Sequence, residues 1–212
     1  MSKVEIQSGK EPIRLFESDF LEFFTHIHPA VVLAIWLPVV GYFLARAVIL
    51  RSSAGGWLHI PLGFAVGLFV WTLAEYVLHR FVFHFHPRTP RQERISFLFH
   101  GVHHAQPMSK TRLVMPPALS IPLALLFYGL FYGVVAGLLG AGRWVAPLFA
   151  GFASGYLIYD MLHYSMHHFR LKGGYLQWMR RHHMRHHAQT PELRFGVSSP
   201  LWDIVFRTNP RG

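Results

Sequence analysis

The 212-residue sequence contains no cysteine, which excludes disulfides, iron–sulfur ligation and thiolate zinc sites. Any metal chemistry must therefore use histidine and carboxylate. Charge is also scarce: 14% of residues are charged, against roughly a quarter in a soluble domain. Acidic residues are the scarcer sign, ten against twenty Lys and Arg. Half of those acids fall within residues 1–28, so the basic surplus belongs to the rest of the chain. With 52% hydrophobic residues, this composition argues against a soluble globule, and the length suits one domain.

Four apolar runs are long enough to span a hydrocarbon core of about 30 Å. They cover residues 29–50, about 57–78, 118–139 and 144 to about 162. The first starts late and lacks a clear cleavage site, so it reads as a retained span and not as a secretory signal. Arg80, Arg88, Arg91, Arg94, Lys110 and Arg112 lie between spans two and three, whereas the turn between spans three and four offers only Arg143. The positive-inside rule puts the former loop in the cytoplasm, and four spans then place the tail after Tyr164 on the same side. Basic residues flanking apolar spans read as membrane anchors, and no nucleic-acid partner is expected. Residues 11–24 carry Leu15, Phe20, Phe23 and Phe24 among acids at roughly helical spacing, as an interfacial helix would. The expected organisation is an N-terminal interfacial segment over residues 1–28 followed by a membrane domain over 29–212.

Sixteen histidines are present, and most fall into four clusters. These are His79 with His84, His100 with His103 and His104, His163 with His167 and His168, and His182, His183, His186 and His187. On an α-helix, positions i, i+3 and i+4 share a face. His100, His103 and His104 should thus project in one direction, as should His183, His186 and His187, while His163 pairs with His167. His182 and His186 are also four apart, so spacing alone leaves His182 and His183 as alternatives. His79 and His84 stand about 140° apart on an ideal helix; either they serve different metals or the helix loosens there.

His26, His28, His59 and His86 lack partners on a helical face and read as ordinary hydrogen-bonded side chains. Glu75 and Asp160 lie one helical turn before His79 and His163, where each is expected to accept the second N–H of its histidine. Ten imidazoles are too many for one ion and suit two metals with about five each; nitrogen-rich ligation is compatible with iron, zinc, copper or nickel. Hydrolysis gives no reason for such a site to adjoin a bilayer. Oxidation of a lipid C–H bond needs both a redox metal and access to an acyl chain, so iron is the functional expectation, with zinc able to occupy purified samples.

The stretch WTLAEYVLHRFVFH from Trp71 to His84, HGVHHAQPMSKTRLVMPP from His100 to Pro117, and FGVSSPLWDIVF from Phe195 to Phe206 closely resemble the membrane fatty acid 2-hydroxylases. These belong to the fatty acid hydroxylase and sterol desaturase superfamily. The resemblance runs from about Trp71 to the C-terminus, and the RLVMPP and FGVSSPLWD segments are its more specific parts. It implies an all-α integral membrane protein whose helical cytoplasmic cap holds a histidine-rich dimetal site. It further implies insertion of one oxygen atom from O₂ at the α-carbon of a long fatty acyl chain, free or in a sphingolipid, by a di-iron pair without a protein nucleophile.

Carried over by motif, the metal ligands would be His79, His84, His100, His103, His104, His163, His167, His183, His186 and His187, which favours His183 over His182. Asp160 would act behind His163. Many eukaryotic relatives carry an N-terminal cytochrome b5 domain. The 28 residues before the first span contain no HPGG haem motif, so electrons are expected from a separate carrier of ferredoxin or cytochrome b5 type, docking on the basic cytoplasmic face. Lys110 and Arg112 are candidates to hold the lipid head; no substrate-binding residue follows from the sequence. The competing expectations are a carotenoid, sterol or alkyl-lipid oxidase of the same superfamily and, in a different class, a membrane metal-binding or transport protein.

Overall fold

The computed structural model describes residues 12–49 and 56–210, and among these every regular element is helical. In chain order the helices are α1 (Asp19–Phe23), α2 (Pro29–Ile49), α3 (His59–Val77), α4 (Pro90–Ser96), α5 (Val102–Ala105), α6 (Pro117–Phe131), α7 (Val145–His168), α8 (Gly174–Ala188) and α9 (Leu201–Val205). Three are extended by wider π-helical turns or lead out of one: Leu78–Phe83 follows α3, Phe97–Gly101 precedes α5, and Tyr132–Leu138 follows α6.

Four helical stretches are long and apolar enough to cross a membrane: Pro29–Ile49, His59–Phe83, Pro117–Leu138 and Gly142–His168. In lipid the backbone must satisfy its own hydrogen bonds, which is why these stretches are helical and why proline opens α2 and α6, where an N–H would be orphaned anyway. The chain is thus a multi-pass membrane protein. Two boundaries differ from the hydropathy reading. The second span continues past Leu78 to Phe83, and the fourth continues past Leu162 to His168. In both, polar histidines end the apolar run without ending the helix, because their rings are buried.

Two compact units share the described residues, one drawn from residues 30–49, 56–73 and 115–158, the other from residues 12–29, 74–114 and 159–210. In the first unit α3 and α7 approach closely through glycine. A Cβ on Gly67 would lie 2.0 Å from the Leu148 carbonyl oxygen, and one on Gly151 would lie 2.0 Å from that of Phe64. Small residues permit this close helix contact, which membrane helices use in place of a hydrophobic driving force. Trp36, Trp71, Phe152 and Tyr156 fill the space beside it with edge-on ring contacts.

The second unit carries all four histidine clusters. Its N-terminal stretch differs from the expected helix over residues 11–24: only Asp19–Phe23 is helical. The Glu22 carboxylate accepts the backbone N–H groups of Leu15 and Phe16, each at 2.9 Å. Ser18 caps α1, so the preceding residues turn back instead of extending the helix. Arg112 is buried in the same place, donating to Glu22, His26 and the Ile13 carbonyl. That removes it as a lipid-head ligand: its guanidinium is spent in pinning this segment.

Candidate metal centre

The second span positions the first pair of rings. Leu78–Phe83 is a π-helical turn, closed by a 3.0 Å bond from the His84 N–H to the His79 carbonyl. Widening the helix to i→i+5 brings residues five apart onto one face, and the His79 and His84 rings stand 5.0 Å apart. The helix does loosen there, and both rings join the same group.

That group consists of His79, His84, His100, His104 and His186; a second consists of His103, His163, His167, His183 and His187. In each, one ligand atom per residue lies within 4.8 Å of all the others. The ten histidines singled out by sequence are thus brought together as five and five, and the groups adjoin, with the His104 and His187 rings stacked 4.1 Å apart. The clusters read as one-directional triads are divided. His103 separates from His100 and His104, and His186 separates from His183 and His187, because adjacent helical positions diverge by about 100° and feed neighbouring sites.

Spacing within the groups is that of ligands and not of hydrogen-bond partners. The Nε2 atoms form a chain, His103 to His187 at 3.0 Å, His187 to His183 at 3.1 Å and His183 to His167 at 3.0 Å. Each imidazole nitrogen has one in-plane lone pair or one hydrogen, so it cannot serve two nitrogens at once. One ion can take a lone pair from every ring, and nitrogens about 2.1 Å from an ion at right angles to each other stand about 3.0 Å apart. In the first group His79 and His100, and His84 and His186, show the same 3.1 Å spacing. Both His163 ring nitrogens are buried with no hydrogen-bond partner, as is Nε2 of His104. The donor set fits metal ions.

Electrostatics agree. Burial, reinforced by neighbouring rings, holds His100, His103, His183, His186 and His187 well below the ordinary histidine range, and His104 at about 3. The rings are neutral and present lone pairs.

The residues behind the rings differ from expectation. The Nδ1–H of His79 donates to the Phe195 carbonyl at 2.5 Å, not to Glu75. Likewise the Nδ1–H of His186 donates to the Leu193 carbonyl at 2.7 Å. These bonds leave Nε2 of both rings as the free donor atom. Glu75 acts one step further back, accepting the N–H groups of Val197 at 2.6 Å and Ser198 at 2.8 Å, together with the Ser198 hydroxyl. Asp160 is buried, but it receives no hydrogen bond from His163.

Asp203 carries the role that sequence reading missed. Fully buried, it accepts from the backbone of Phe195 at 2.9 Å and Gly196 at 2.8 Å, from the Thr208 hydroxyl at 2.7 Å and from His182 at 3.2 Å. Burial alone would raise its pKa; the four donors, His182 first, outweigh that and hold it ionised. Arg194, between the two carbonyls that orient histidines, has a left-handed φ of 63°. This strained conformation is uncommon outside glycine and is sustained by the surrounding bonds. The aspartate in FGVSSPLWD was the available signal. His182 is committed to Asp203 and lies outside both groups, where His183 is included. Elsewhere His26 bonds Thr111, His59 the Gly56 carbonyl and His86 pairs with Glu192, all outside the groups.

The fatty acid hydroxylase family model matches residues 64–208. The chain belongs to the fatty acid hydroxylase family. As a member, it is 37% identical over 201 residues to a dihydroceramide fatty acyl 2-hydroxylase of Arabidopsis thaliana, covering 95% of this chain and 81% of the relative. It is 40% identical to a ceramide very long chain fatty acid hydroxylase of Saccharomyces cerevisiae, covering 94% of this chain but only 50% of that protein. Among solved structures, full-length scs7p, in which only the hydroxylase domain is visible, matches with a TM-score of 0.82 at 39% identity, covering 91% of this chain and 70% of that one. Family membership sets the metal-transport reading aside.

Proposed function

We propose that this family member inserts one oxygen atom from O₂ at the 2-position of a long-chain fatty acyl group, free or within a sphingolipid. The observation that carries the proposal is the pair of adjoining five-imidazole groups in a chain related to 2-hydroxylases of acyl and ceramide substrates. The first ion would be held by His79, His84, His100, His104 and His186, the second by His103, His163, His167, His183 and His187. When bound as iron, the pair supplies the redox chemistry that O₂ activation requires; zinc would occupy the same nitrogens without it.

The protein's own residues keep the rings outside the spans neutral, aim Nε2 of His79 and His186 inward through backbone carbonyls, and exclude water by burial. The reaction needs no protein nucleophile. Electrons come from a separate carrier, and the site faces the cytoplasm, in line with the basic residues between the second and third spans. At the N-terminal segment, exposed Phe20 and Phe23 suit contact with the bilayer interface.

Lipid mass spectrometry after expression in a host lacking 2-hydroxy lipids tests the proposal, with His103→Ala as control. Wild-type cells should gain acyl species heavier by one oxygen at the 2-position, and the variant should not. Hydroxylation elsewhere on the chain, or on a carotenoid or sterol, would replace this reading with another of the superfamily.

A further inference from the structure

A pocket of about 330 Å³ lies outside both histidine groups, lined by Trp178, Arg181, His182, Arg185, Arg194 and Asn209. Arg181 and Arg185 are four apart on α8 and share a face, an arrangement of like charges that costs stability unless something opposes it. Among the described residues, neither they nor Arg194 has a carboxylate partner in an ion pair. The nearby acid, Asp203, is fully buried and already holds four donors. Excess positive charge thus lines a concavity open to an anion.

The pocket adjoins the metal ligands by covalent connection. His182 precedes His183, Arg185 precedes His186, and Arg194 lies between the carbonyls that orient His186 and His79. One wall is aromatic: Trp178, 38% exposed, stacks on His182 with ring centroids 5.3 Å apart and planes at 22°. From solvent to His183, the path is one through-space ring contact followed by the covalent link between adjacent residues, through the Cβ and Cα atoms of His182 and His183 and the peptide unit between them.

We propose that this basic pocket is the docking site of an acidic one-electron carrier protein, with Trp178 and His182 forming the entry route toward His183. The inference rests on the hydroxylase reading above. Inserting one atom of O₂ into a C–H bond releases the other as water and consumes two electrons and two protons. A one-electron carrier is therefore oxidised twice per turnover and must bind and leave each time. Charge complementarity suits such a partner, since it speeds encounter without requiring a long-lived complex.

The probe is a soluble cytochrome b5 haem domain, titrated against the detergent-solubilised metal-loaded protein at low and high salt. Binding should weaken as salt rises. The double reversal Arg181→Glu, Arg185→Glu should raise Kd by about tenfold or more, while Arg91→Glu, Arg94→Glu on α4 should change it less than about twofold. Trp178→Leu should slow oxidation of the reduced haem domain at saturating carrier, beyond any change in Kd. Metal content and thermal melting report folding. If the double reversal does not fold, Arg181→Gln, Arg185→Gln should show a smaller loss in the same direction.

Equal losses from both pairs of reversals, or an unchanged Kd, would overturn the docking site. So would loss of retention on phosphatidic acid vesicles with carrier affinity intact, which would make the pocket a lipid-phosphate site. Failure of the wild type to form any 2-hydroxy product with either the reduced haem domain or dithionite would instead sink the hydroxylase reading, whatever the binding results.

Discussion

The His79 ring is oriented by the Phe195 carbonyl, 116 positions away, through a 2.5 Å hydrogen bond from Nδ1. A loop near the C-terminus thereby selects which nitrogen of a ring on the second span faces the metal group. Asp203 and Glu75 hold that loop from two sides, by the backbone N–H groups of residues 195–198.

Asp203→Asn replaces an acceptor with a donor where every neighbour already donates. Loss of such orienting contacts typically weakens metal affinity by about 10–100-fold. Competition with a chelator of known affinity should show a loss of that size in the first group. Wild-type metal retention in the variant would remove Asp203 from this role.

Single-ligand variants should separate the two groups. His100→Ala and His163→Ala each remove one ring from a different five. Metal analysis should therefore show about one ion per chain in each variant against about two in the wild type, since one lost ligand reduces affinity mainly at its own site. Loss of both ions from either variant would mean that the groups bind as one unit.

The metal-free protein should lose stability on acidification. His103 and His183 are held well below 6.5 in the folded state, chiefly by burial, and His104 at about 3. The unfolded chain therefore takes up protons first. Stability from this source is present above about pH 6.5 and declines as pH falls through the interval down to the lowered folded-state values. Denaturation in detergent at a series of pH values tests the sign, and stability that rises from pH 7 to pH 5 would contradict it.

Gly151→Ala should be far more damaging than Gly129→Ala. A Cβ at Gly151 meets the Phe64 backbone, whereas one at Gly129 meets nothing within 4 Å. Overpacking of this kind costs about 1–3 kcal/mol or more, while alanine in an open helical position is favoured over glycine. Comparing melting temperatures of the two variants decides the matter; equal values would indicate that α3 and α7 can part without penalty.

Much of the metal centre was legible along the chain. The spacings of His100, His103 and His104, and of His183, His186 and His187, marked these rings as candidate ligands, although each triad read as facing one way is divided between the two groups. The bland readings of His26 and His86 also match their partners, while His59 bonds the Gly56 carbonyl through Nδ1 and has Nε2 buried without a hydrogen-bond partner. The expected bond from His79 to Glu75 followed the same local logic and failed, because the Phe195 carbonyl accepts the His79 N–H while Glu75 accepts from Val197 and Ser198.

Apolar run length and histidine periodicity are short-range properties, and they suffice for four spans, helical secondary structure and the histidine clusters, while the choice of ten rings, His183 over His182 included, came from the family resemblance. The division into five and five, the π-helical turn that turns His84 toward His79, and the roles of Phe195, Leu193 and Asp203 arise only on folding. They depend on which groups meet in space, from His186 and Leu193, 7 positions apart, to His79 and Phe195, 116 apart, where competition among acceptors and local helix winding, neither written in residue spacing, determines the partner.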